Sequence, residues 1–178
     1  MNTMNTANPA GTLPKTAPGG LSALGLKLLA MALMLCDHLW AALPAAPDLL
    51  THIGRIAFPI FAFQIAEGFA RTHDRKRYLL RMLAFAALSE VPFDLFYGGT
   101  VFYPFHQNVM FTFVLAILLL LGVEKFRKKG NIPYLLAALA AVILGYALGT
   151  VTMVDYYGCG VVTVLLFYLC REWKWGWL

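Results

Sequence analysis

The chain has little charge. Asp, Glu, Lys and Arg make up 13% of its 178 residues, against about 25% in soluble domains. Acidic residues number only nine. Cysteines are three, Cys36, Cys159 and Cys170, an odd count without a C-x-x-C spacing. Neither a disulfide framework nor a metal centre is expected from them; they read as small residues of apolar segments. No internal repeat is visible, and no linker is long enough to make a soluble domain. What remains is apolar: hydrophobic residues reach 60% and the mean hydropathy is +0.69. Small domains bury only about two-thirds of their chain, too little to hide this composition from water. An ordinary cytosolic enzyme, a disordered chain and a nucleic-acid-binding domain are therefore excluded, and no nucleic acid is expected as a partner.

Residues 1–20 are Asn, Thr, Pro, Ala and Gly with almost no large apolar side chain. They cannot offset their ordering entropy and read as a disordered tail. Residues 21–178 read as one transmembrane helical domain. Six apolar segments run approximately over 21–43, 53–70, 78–97, 109–123, 132–149 and 157–169. A spanning helix needs about 20 residues. The fourth and sixth reach that length with flanks such as Phe105–Asn108 and Arg171–Trp173. The expected fold is all-α, a polytopic bundle of about six transmembrane helices, with the lipid bilayer as its first partner.

Charge supplies an orientation. Arg71, Arg75, Lys76, Arg77 and Arg81 follow the second segment, Lys125, Arg127, Lys128 and Lys129 the fourth, and Arg171 and Lys174 the sixth. The alternate loops are nearly free of Lys and Arg. Basic loops stay cytoplasmic, so both termini are expected inside, and the net charge of +5 is a topology signal. Trp40, Tyr97, Tyr103, Trp173, Trp175 and Trp177 fall where aromatic interface anchors belong.

Ionisable residues within such segments are costly and mark candidate sites. Asp37 and His38 close the first segment. His38 lies eleven residues after Lys27, about 16 Å along a helix, on the outer side. It reads either as a general base near pH 7 or as a wetted helix end; Asp37, about 100° away around the helix, is not automatically its partner. Arg55 either holds an oxyanion or forms a structural ion pair. Pro59 kinks the second helix. Glu67 is either catalytic or a helix-end acid beside the basic loop. Glu90 and Asp94 share a face if the third helix passes Pro92, which otherwise ends it between them. The outer loops add His106, Asn108 (a cap for the fourth helix or a site residue) and Asp155. Glu90, Asp94, Asn108 and Asp155 are thus candidates for lining an outward polar pocket. Gly158 and Gly160 allow close helix approach. The arginines at 71, 75, 77 and 81 either bind phosphates or serve orientation alone.

The segments KLLAMALMLCDH, GRIAFPIFAFQIAEG, RTHDRKRYLLRM, SEVPF and NVMFT, and more weakly Asp155–Gly158 and Phe167–Tyr168, resemble the TraX family of integral membrane proteins. Lys27 and His38, a basic residue and a His separated by ten residues, are more distantly similar to membrane acyltransferases that modify surface sugars, which usually carry Arg there. The resemblance implies a bacterial inner-membrane acetyltransferase with acetyl-CoA as co-substrate. Its acceptor would be an amine, as at the amino terminus of pilin, or a hydroxyl on another surface molecule. In that reading His38 deprotonates the acceptor, Arg55 or Lys27 stabilises the oxyanion, Glu67 orders basic side chains, and Arg71, Arg75, Arg77 and Arg81 take the CoA phosphates. The family also leads one to expect further helices beyond the sixth. Two other functions remain open on the residues alone: a small-solute transporter, and a non-catalytic assembly factor for a pilus or conjugation apparatus.

Overall fold

Ser22 starts the first helix. Its Oγ accepts from the Gly25 backbone N–H at 3.0 Å, taking up a group that every helix start leaves unpaired. In the computed structural model, which describes residues 21–172, α1 runs from there over Ala23–Ala42. It is followed by α2 (Leu49–Gly54), α3 (Ala57–Arg71), α4 (Arg75–Gly98), α5 (Val109–Arg127), α6 (Asn131–Val151) and α7 (Tyr157–Leu169), then a 3₁₀ turn over Cys170–Glu172. The expected tail, Lys174 and the anchors Trp173, Trp175 and Trp177 lie outside the described residues.

The all-helical expectation holds; the six spans need amendment. Four helical runs, Ala23–Ala42, Leu49–Arg71, Val109–Arg127 and Asn131–Val151, are long and apolar enough to cross a membrane, by length and composition. Helix α4 is long, but it carries Arg75, Lys76, Arg77, Arg81, Glu90 and Asp94. Helix α7 is apolar but has 13 residues. The fourth apolar segment gains its length at its far end, through Arg127, and not from Phe105–Asn108.

The second segment is divided into α2 and α3. Proline removes the N–H that would bond to residue i−4 and its ring crowds that carbonyl. For Pro59 that residue is Arg55, where the break falls. The Arg55 carbonyl accepts instead from the Phe58 N–H at 3.3 Å. Pro92, by contrast, lies inside a helix that continues to Gly98, so Glu90 and Asp94 do share a face.

Helix α5 is the centre, burying Phe113, Val114, Ala116, Ile117, Leu120 and Val123. Helices α4, α6 and α7 pack around it, α3 packs on α7, and α1 with α2 lies outermost against α3. Small residues make these approaches close, as in membrane bundles. A side chain at Gly158 would collide with the Tyr146 backbone carbonyl of α6. Outward, α1 buries only Ala30, while Leu24, Leu28, Leu35 and Leu39 are exposed, as are Leu136, Leu139 and Ile143 on α6. So large an apolar surface needs a bilayer to cover it.

The helices alternate in direction, which sorts the loops. The connections at 72–74 and 128–130 and the end of α7 gather at one end, with most of the Lys and Arg. Arg75 Nη1 reaches Glu124 Oε2 there at 3.1 Å, and Arg127 bonds the same carboxylate at 3.3 Å. The connections at 43–48, 99–108 and 152–156 form the other end. Gly158→Ala is expected to lower bundle stability by about 1–3 kcal/mol, the usual cost of overpacking, since the obstructing atoms are backbone. Thermal unfolding in detergent checks this.

Candidate functional site

At the end away from the basic loops, side chains from five helices meet. Asp37 on α1 accepts from Thr51 Oγ1 of α2 at 2.6 Å. Gly54 brings the two helices together: a Cβ there would lie 2.6 Å from the Asp37 nitrogen. His38 Nδ1 stands 2.8 Å from the Met34 carbonyl one turn back. A carbonyl only accepts, so Nδ1 carries the hydrogen, and in the neutral ring the lone pair is on Nε2.

Asn108 serves two helices. Its Oδ1 accepts from the Met110 N–H at 2.8 Å, capping α5. Its Nδ2 donates to the Ala86 carbonyl of α4 at 3.0 Å and to Glu90 Oε2 at 2.6 Å. Its backbone N–H also donates to Glu90 Oε2, at 3.1 Å. Asp94, one turn on and 1% exposed, accepts from the Tyr103 N–H at 2.9 Å and orders the following loop; its Oδ1 has no hydrogen-bond partner among the described residues.

The third support is the turn before α7. Gln107 and Asp155 join their loops, the Gln107 N–H donating to the Met153 carbonyl at 3.1 Å and the Asp155 N–H to the Gln107 carbonyl at 3.0 Å. Thr112 Oγ1 donates to the Asp155 carbonyl at 2.6 Å. Met153, Tyr156 and Tyr157 all have left-handed backbones, with φ of 53°, 60° and 49°. His106 Nε2 lies 3.6 Å from Asp155 Oδ1 and its ring stacks on Tyr97 at 4.7 Å. Burial pushes the Asp155 carboxyl above the ordinary Asp value of 3.8, while His106 and the Tyr156 N–H pull it back. Burial first, then the Asp155 and Asp37 carboxylates, pushes the Tyr156 phenol up to about 12.

Between these supports is a cavity of about 430 Å³, within the range of small-molecule sites. Asp37, His38, Ser89, Asn108 and Asp155 supply its polar groups; Met34, Phe58, Phe61, Pro92, Phe93, Phe96 and Tyr156 are among its other walls. It exists because α3 and α4 diverge. They touch near the basic end, where the Tyr78 hydroxyl donates to the Ile65 carbonyl at 3.4 Å, and hardly pack together elsewhere.

Residues 22–178 match the family described as TraX protein. The chain belongs to the TraX family. It is also similar to the probable fimbrial assembly protein FimC, serogroup H1, of Dichelobacter nodosus, at 31% identity over 113 residues. That match takes in 56% of this chain and 46% of the relative, so the chain spans about half of that protein's length. No solved structure matches.

The matched TraX region includes every wall of the cavity. Of the residues singled out from the sequence, Asp37, His38, Asn108 and Asp155 line it. Glu90 stands behind Asn108, and Asp94 behind the loop. Arg55, at the α2–α3 break, is exposed and acts on Asp155 and Tyr156 through its charge. Lys27 and Glu67 do not join them. Lys27 is eleven residues down α1, and Glu67 pairs with Arg71 at 2.7 Å, ten residues beyond the start of α3. The four arginines lie toward that far end. Arg75 pairs with Glu124 and Arg77 with Asp74 at 3.4 Å; Arg81 has no carboxylate partner among the described residues. Sequence reasoning missed Thr51, Gly54, Ser89, Thr112 and Tyr156. Gly54, Ser89, Thr112 and Tyr156 stood within the quoted segments without being singled out.

Two outcomes are expected. Asn108→Ala removes a cap worth about 1 kcal/mol and takes the side-chain amide from Glu90, which keeps only the backbone N–H, at about 1–3 kcal/mol more; chemical unfolding in detergent reads the sum. A carboxyl whose value is raised by folding stabilises most when protonated. Its contribution is full below 3.8 and is lost as pH rises through the raised value. Asp155→Asn, which cannot ionise, should therefore gain melting temperature relative to the parent as pH climbs, and a pH series of melts on the two proteins would show a constant gap if this is wrong.

Proposed function

We propose that this TraX-family protein is an integral membrane acetyltransferase, moving an acetyl group from acetyl-CoA to an amine or hydroxyl presented at the bacterial inner membrane. The observation that carries the reading is His38: an imidazole whose Nδ1 meets the Met34 carbonyl, leaving Nε2 for a substrate, in the wall of a cavity it shares with Asp37 and Asp155. An imidazole held in this way is suited to taking a proton from an attacking nucleophile. The acceptor nitrogen or oxygen attacks the thioester carbonyl carbon, and His38 Nε2 takes its proton. The C–S bond breaks and the proton passes to the departing CoA sulfur. Arg55, exposed at the helix break and close enough to act on Asp155 and Tyr156 through its charge, is the cation assigned to the oxyanion.

In this reading the basic end faces the cytoplasm, which places both termini there. Arg71, Arg75, Arg77 and Arg81 then meet the CoA phosphates on the side that holds the co-substrate. The resemblance to a fimbrial assembly protein supports pilin, or another surface appendage subunit, as the acceptor. The first test is transfer from labelled acetyl-CoA in membranes containing this chain. His38→Ala at matched abundance is expected to lose about 10²–10⁴-fold in rate, the usual contribution of a general base. A correctly inserted His38→Ala protein with full activity would refute the role. Solute flux without acetyl transfer would favour a transporter, and neither, with a co-purifying appendage subunit, an assembly factor.

A further inference from the structure

The cavity has an apolar side that acetyl transfer alone does not require. Met34 lies one turn from His38 down α1, and Phe61 lines the cavity from α3. Both are well inside runs long and apolar enough to cross a membrane. On the flank, α1 and α4 do not pack along their lengths. Across the gap the His38 and Phe96 rings stack at 5.7 Å between centroids. The surfaces on either side of that contact are apolar and exposed, with Leu35 at 58% and Leu95 at 50% exposure.

The polar and apolar halves of the cavity are arranged in order. Asp37 and Asp155 supply two carboxylates near its outer end, and their chemistry suits a cationic head. The volume limits the tail that such a head can carry. One turn of helix with its side chains occupies about 400–600 Å³, from a diameter of about 10–12 Å and a pitch of about 5.4 Å. The cavity, at about 430 Å³, holds no more than about one such turn, which excludes a longer helix and leaves room for a single extended chain.

We propose that the cavity takes up a single-chain cationic amphiphile sideways from the bilayer, its head at Asp37 and Asp155 and its chain passing between α1 and α4 beside the His38–Phe96 contact. The proposal rests on reading this cavity as the acceptor site, and it makes Phe96 the residue that controls access.

The test uses the full chain in vesicles of zwitterionic lipid, without acetyl-CoA. The probe is a long-chain alkylamine with a diazirine in its chain, and labelled residues are mapped by mass spectrometry. Labelling is expected at Phe58 and Phe61, competed by unmodified alkylamine. Phe96→Ala should raise it several-fold, and Asp37→Asn with Asp155→Asn should lower it several-fold. If that double variant does not fold, the Phe96→Ala arm and the competition still decide. Labelling confined to outward residues such as Leu35 and Leu95, or equal interior labelling by a short water-soluble diazirine amine, would overturn the proposal. Because no acetyl group is involved, interior labelling without transferase activity would sink the enzymatic reading alone. Transfer to soluble amines without interior labelling would sink the lateral route alone.

Discussion

Asn108 is the contact on which the cavity end depends. One side chain closes the start of α5, bonds a carbonyl of α4 and holds Glu90. In a low-dielectric setting each of those groups would be expensive left alone. The two helices therefore stay joined at this point while α3 leans away from α4. The fixed side of the site is α4 with α5, and the remaining walls are set against it. Asp155 is tied to this fixed side through Thr112, whose hydroxyl holds the Asp155 carbonyl, while Thr51 ties α1 to α2.

The two ends of the bundle solve the problem of charge differently. At the basic end arginines meet acids pairwise, and Glu124 serves two of them. Such pairs add little stability, and cations stay in excess at this end, Lys76, Arg81, Lys125, Lys128 and Lys129 among them. At the other end carboxylates outnumber cations within reach, and hydrogen bonds from neutral groups do the matching: Thr51 to Asp37, Asn108 to Glu90, the Tyr103 N–H to Asp94. Neutral donors keep a carboxylate in place without cancelling its charge, which is what a site needs if it is to act on a proton or a cation.

The segments and their polar punctuation were legible because both come from composition: the apolar runs, the basic loops and the ionisable residues near one end can be read one at a time. The clustering of Asp37, His38, Asn108 and Asp155 was legible as a shared level in the bundle. Lys27 and Glu67 were already at another level by their spacing along the helices, and took their assigned roles from the family resemblance. The helix break at Arg55 was within reach, because the rule that Pro59 disturbs the carbonyl four residues earlier is local. Thr51 and Thr112 were out of reach. Their importance lies in hydrogen bonds over 14 and 43 residues, which depend on how helices pack and not on any spacing in the chain.

The turn before α7 couples two parts of the bundle. Met153, Tyr156 and Tyr157 hold left-handed backbones without a glycine among them, at a cost of order 1–3 kcal/mol each. The helices it joins pack closely on each other, yet the turn's own anchors come from outside that pair: the Gln107 backbone and the Thr112 hydroxyl. The strained geometry that presents Asp155 therefore draws on the segment between α4 and α5 as well as on its own hairpin, and a change that loosens either is felt at the same carboxylate.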